Sequence, residues 1–263
     1  GFNPTTLVQT GVPNQGNFAF ALTGGTGSSG DGWNLLGNPY ASDIIWSNTG
    51  WTSTGVGNVI YVRENSPGGG FTWRWWDRSS GTGNLPNGQI PAGQGFWIQT
   101  STSNPSLVVT ESAKTNLPAT SNNNFFRSSD GMPNNVLAIG LSNGSQNDVT
   151  YIKLSNNGTD TYDKLSDGVK NQNSFFNIST LSADSVDLAV NELSNEFCEK
   201  NIQIKLATIA PGSYTMQFDN SDKFNWAQVQ LIDKFTNTTQ SLTESSSQYS
   251  FSVTTDLASY AKR

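Results

Sequence analysis

Apolar and polar residues alternate with period two along most of this chain. The alternating runs are short, and clusters of Gly, Asn, Ser and Pro break them. Period two sends successive side chains to opposite faces of a pleated strand, and turn chemistry between closely spaced runs is the pattern of an antiparallel sandwich or jelly roll. NFAFALTG (17–24) places Phe18, Phe20 and Leu22 on one face, and NVIYVRE (58–64) sets Val59, Tyr61 and Arg63 against Ile60 and Val62. FTWRWWD (71–77), GFWIQT (95–100) and SLVVTE (106–111) continue the series. Helical periodicity is confined to a turn in SDIIWS (42–47) and another at the C-terminal end.

NLPATSNNN (116–124) is the best boundary, because it is poor in apolar residues and carries a Pro and three consecutive Asn. It separates residues 1–118, which hold seven of the eight tryptophans, from residues 119–263, which are richer in charge. Strands are predicted after it at 135–143, 148–155, 174–180, 186–193, 201–207, 213–219, 227–234 and 248–255. That number of strands in so short a stretch is what an immunoglobulin-like sandwich requires. The expected fold is all-β, two tandem antiparallel sandwiches of jelly-roll or immunoglobulin-like type with very little helix.

Composition narrows the function classes. Charged residues are only 13% of the 263, so the surface is built mainly from amides and hydroxyls, as suits an extracellular β-protein. The net charge of −6 and the lack of a Lys/Arg cluster disfavour nucleic acid. The apolar runs are too short to insert into a membrane as helices. With no histidine, every Ser-His or Cys-His nucleophile pair is excluded, and acid–base work falls to carboxylates, Lys or Tyr. Cys198 is the single cysteine, cannot form an internal disulfide, and reads as a small buried strand residue. Both chain ends read as cuts in a longer protein.

GWNLLGNPYAS (32–42) is a strand with Trp33 and Leu35 facing away from Asn34 and Leu36, ended by Asn38-Pro39. IPAGQGFWIQT (90–100) is a Gly-rich turn feeding a second strand, with Gly93 and Gly95 expected at positive φ or at a close backbone approach. Neither carries a nucleophile elbow or a phosphate loop. The pair resembles the GWNLxGNPYPS … IPAGQGFFV motifs of large surface and secreted proteins of the Bacteroidota, just upstream of the sorting domain used by the type IX secretion system. The later segments VLAIGLSN (136–143), DTYDKL (160–165), APGSYTMQFD (210–219) and YSFSVTTDLASYAKR (249–263) are similar to the same region. Ala41 stands where Pro is frequent and Trp97 where Phe is usual, and the sorting domain itself is not in the sequence. The resemblance implies an exported, non-catalytic stalk or adhesive module at a cell surface or outside the cell. Its implied partner is the type IX secretion machinery, and such parent proteins are often adhesins or gliding-related.

FTWRWWDR (71–78) is the segment most able to bind a ligand. Tryptophans beside Arg and Asp are a common way to grip a sugar, the ring stacking on indole while polar groups bond its hydroxyls. The candidate glycan site is Trp73, Arg74, Trp75, Trp76 and Asp77, with Trp51 extending the platform and Trp46 beside it. The competing reading is core packing for Trp73 and Trp75, with Trp76 at the rim. Asp160, Asp163 and Asp167 have a loop spacing compatible with Ca²⁺, although they do not fit an EF-hand and a solvated loop explains them as well. Glu64, Asp77 and Glu111 are the carboxylates available to a glycosidase, and nothing in their spacing demands a facing pair. The sequons at Asn143, Asn157, Asn177 and Asn237 point to surface loops.

Overall fold

A computed structural model describes residues 10–66, 69–116 and 132–261. The chain is all-β, with a single four-residue α-helix, Ala258–Ala261, among the described residues. From residue 117 onward the expected 116–124 boundary lies outside the described residues.

The first half contains a five-stranded antiparallel sheet ordered Trp33–Gly37, Gly95–Gln99, Val59–Asn65, Phe71–Asp77, Thr82–Gly83. A three-stranded sheet of Phe18–Ala19, Ser106–Val109 and Trp51–Thr54 lies against it. Ile60, Val62, Trp76, Phe96 and Ile98 from the larger sheet and Leu107 and Val109 from the smaller one fill one core. The strand expected at 17–24 is only two residues long, because beyond Ala19 the backbone keeps a single ladder bond, Phe20 N–H to Leu107 C=O at 3.0 Å. SDIIWS gives a two-residue strand, Ile44–Ile45, followed by a turn. Gly93 has the expected positive φ of 75°, whereas Gly95 sits in ordinary strand geometry.

The second half is built on an eight-stranded sheet. Its main path is ordered Ile204–Ala207, Asn177–Leu181, Asp187–Ser194, Asn147–Ser155, Val136–Ser142, Gly212–Asp219, Ser246–Val253. All eight expected strands are present, and two more join them among the described residues. Gly168–Val169, the eighth strand of the sheet, pairs with Asp187–Ser194, and Thr238–Leu242 pairs with Val229–Asp233 as a hairpin. The antiparallel expectation fails at one place. Asn147–Ser155 and Asp187–Ser194 run parallel, with Lys153 opposite Glu192. The connection between them is long enough to cross over and re-enter the sheet in the same direction, which a hairpin cannot do.

The first half's larger sheet is covered on both faces, by the three-stranded sheet on one and by the eight-stranded sheet on the other. Val59, Tyr61 and Trp75 point away from the first core and join Val136, Ala138, Val149, Tyr151 and Val190 in a cluster shared by the two halves. In Val136–Ser142 the alternation is of size. Leu137, Ile139 and Leu141 face the second half's own core, while Val136 and Ala138 face the seam, where small side chains let the aromatic rings approach. A strand buried on both faces reads as a continuous apolar run, and VLAIGL does.

Candidate functional site

The aromatic strand Phe71–Asp77 forms much of this seam. Alternation sends Trp76 into the first core, where its indole N–H donates to Ser47 Oγ at 2.7 Å. Trp75 points the other way and meets Tyr151 edge-to-face at 4.9 Å. The backbone at Phe71 and Trp73 is met by the second half, with Phe71 N–H donating to Ser174 Oγ and Trp73 N–H to Asn173 Oδ1, both at 2.8 Å. This end of the strand is thereby closed to a further pairing chain.

The expected sugar platform is largely internal. Trp75 is 2% exposed, Trp76 6% and Asp77 0%, so none of the three presents a face to a ligand. Two opposite sheet faces carry the two indoles, and each face found a hydrophobic layer to bury it. Trp51 is half-buried, donates its indole N–H to the Ile45 carbonyl at 2.8 Å and stands edge-to-face against the fully buried Trp46 at 4.7 Å. Arg74 pairs with the exposed Glu64 at 2.7 Å. Trp73 stays half-buried on the rim of the shared cluster, as do Trp33 and Trp97.

The seam also holds charge. Lys153 Nζ lies 2.6 Å from Glu192 Oε2 and from Ser79 Oγ, and 3.7 Å from Asp77 Oδ2. Lys164, on the second half, reaches the 26–31 loop of the first, bonding the Thr26 carbonyl at 2.6 Å and pairing with the Asp31 carboxylate. That contact with the Lys164 ammonium, aided by Thr26, holds the Asp31 carboxyl below its ordinary value. Tyr162 OH donates across the seam to Gln99 Oε1 at 2.9 Å, and burial raises its pKa. Asp167 accepts the amides of Asp163 and Glu192 at 2.8 and 2.7 Å, yet burial pushes its pKa up to about 7. A second buried pair, Lys170–Asp148 at 2.6 Å, lies within the second half, and Asp148 also accepts Asn173 Nδ2 and the Ile178 amide.

Other expected sites separate. Asp160 pairs with Lys200, Asp163 caps its own turn through the Leu165 amide and the Ser166 hydroxyl, and Asp167 is buried; their carboxylates turn to different partners. No cluster of three or more His, Cys, Asp or Glu suited to a metal ion occurs among the described residues. Glu64 pairs with Arg74, Glu111 with Lys114, and Asp77 with Ser79 and Ser80, so these carboxylates too have separate partners. Cys198 is exposed rather than buried, because it falls in the loop after Asp187–Ser194 and not in a strand. Asn143, Asn157 and Asn237 are exposed, but Asn177 is buried in a strand, where its Oδ1 accepts the Asn173 amide.

Asp77 and Asp167 were singled out in the sequence for other roles, but Lys153, Lys164 and Glu192 of the seam were missed, although a signal existed for two of them. Lys153 in VTYIKLS and Glu192 in LAVNELS sit inside otherwise apolar strand runs. A charge there must find a partner, since an unpaired buried ion is heavily penalised.

Fold and seam together define a layered β-sandwich module whose aromatic and ionic residues join one half to the other. The chain belongs to the family described as Domain of unknown function (DUF8693), whose model matches residues 46–263 and so spans both halves. No curated protein and no solved structure matches the chain.

Proposed function

We propose that this chain is a non-catalytic stalk or adhesive module of a large cell-surface or secreted bacterial protein, exported through the type IX secretion system. The observation that carries the spacer reading is the shared core. Trp75, Tyr61 and Tyr151, together with the Lys153–Asp77 and Lys164–Asp31 ion pairs, join the two halves. A stalk must carry load from one end to the other, and a hydrophobic seam with buried charge resists shear between layers. The secretion route rests on the GWNLLGNPYAS and IPAGQGFWIQT resemblance. Fusing the chain between a reporter and a type IX sorting domain tests that route. Surface display that is lost when the sorting domain is deleted supports it, and retention inside the cell overturns it.

A second reading, carbohydrate binding, draws support from the half-exposed Trp33, Trp73 and Trp97 around the seam. Titrating the chain with a broad glycan panel while following tryptophan fluorescence decides between the two. The spacer reading predicts a flat response, and saturable quenching removed by Trp73→Ala would establish the sugar site instead.

A further inference from the structure

We propose that Lys153 and Asp77 become joined by an intramolecular amide bond, with Glu192 carrying the protons. The three groups meet inside the seam, their side chains 9%, 0% and 8% exposed. Lys153 Nζ is 3.7 Å from Asp77 Oδ2, an oxygen on the carbon it would attack, so a small approach brings the amine to the ~3–3.5 Å from which bound groups react. Asp77 is held as an acyl acceptor would be. Its Oδ1 accepts the Ser79 backbone N–H at 2.9 Å and the Ser79 hydroxyl at 2.6 Å, two fixed donors for charge that builds as the carbonyl is attacked. Its Oδ2 accepts the Ser80 hydroxyl at 2.6 Å, which assists that oxygen as it leaves.

The reaction balances with no added reactant. Glu192, 2.6 Å from Nζ, takes one proton from the Lys153 ammonium. The neutral amine attacks Asp77 Cγ, forming the Nζ–Cγ bond. Cγ–Oδ2 then breaks, and Oδ2 leaves as water with two protons that began on Lys153, both relayed by Glu192. Oδ1 becomes the amide oxygen, nothing is oxidised or reduced, and the opposite charges of amine and carboxylate disappear together. Burial favours this outcome, because it penalises the ion pair and excludes the water that would reverse the step.

The other buried pair marks the difference. Lys170 touches Asp148, but no second carboxylate lies within ion-pair distance of it among the described residues to carry protons. The Lys153–Asp77 bond would tie the aromatic strand of the first half to the Asn147–Ser155 strand of the second. It is independent of the spacer reading, since a sugar-binding chain could carry it equally.

Intact mass spectrometry of the denatured full chain tests the bond. The expected mass is one water below that of the sequence, with a branched peptide linking Lys153 to Asp77 on proteolysis. Glu192→Gln and Lys153→Arg should restore the sequence mass, the first while keeping a cooperative melt. A folded wild-type chain at full sequence mass would overturn the proposal, as would a branch at Glu192. Loss of water persisting in Glu192→Gln would overturn the proton-carrying role. The wild-type result stands even if a variant does not fold.

Discussion

Neighbouring tryptophans in FTWRWWD do different work because a strand sends them to different layers. Trp75 fills the seam and Trp76 the first core, so each is expected to be costly to truncate. Trp75→Ala should destabilise the chain by about 3–5 kcal/mol, the usual loss for a buried large aromatic, as read by urea or thermal unfolding. Lys170→Met should cost a similar amount, about 3–5 kcal/mol, because Asp148 would be left buried without its cation. Asp167 gives a pH signature. Its pKa is raised from 3.8 to about 7 by burial, with Asp163 and Glu192 adding repulsion. Below the unfolded value both states hold the proton; between the two values only the folded state does, so unfolding releases one. Its contribution is therefore present at low pH and is lost as pH rises toward 7. Relative to Asp167→Asn, wild-type stability should fall by about 1.4 kcal/mol per pH unit across that window, and parallel curves from melts at several pH values would refute this. None of these environments could be read from residue type alone, although Lys153 and Glu192 were conspicuous inside apolar runs.

Strands were legible because period two is a local property. Val59–Asn65, Phe71–Asp77 and Val136–Ser142 fall where the alternation put them. Thr238–Leu242 escaped because TTQSL is nearly all polar and gains strand geometry from its hairpin partner, while Asp233 Oδ1 accepts the Phe235 and Thr236 amides in the turn. The parallel pair escaped because a sequence carries no mark of strand direction when both candidates are apolar. Close approach between elements is likewise invisible in a string of letters. At Gly57 an added Cβ would lie 2.6 Å from the Lys164 backbone oxygen. Gly57→Ala should therefore push the halves apart locally and lower the melting temperature. A melt equal to wild type would show that the 164 loop yields freely.

At the scale of the molecule, a shared core couples the halves. The chain is expected to unfold in one calorimetric transition, because opening the seam exposes Tyr61, Trp75 and Tyr151 together. Two resolved transitions would instead mean that each half's own core suffices. The all-β class, the strand series and the division into a tryptophan-rich and a more charged half come from the amino-acid sequence, since alternation, turn residues and composition act over a few neighbouring positions. Which face of each sheet is buried was settled only in three dimensions. A strand with apolar residues on both faces can serve as core on one side and a binding platform on the other, and the two uses look alike until a second layer either covers that side or leaves it open. Here the eight-stranded sheet covers Trp75 while Trp76 turns into the first half's own core, so the expected sugar platform became interior from both sides and Asp77 came to lie beside Lys153 and Glu192.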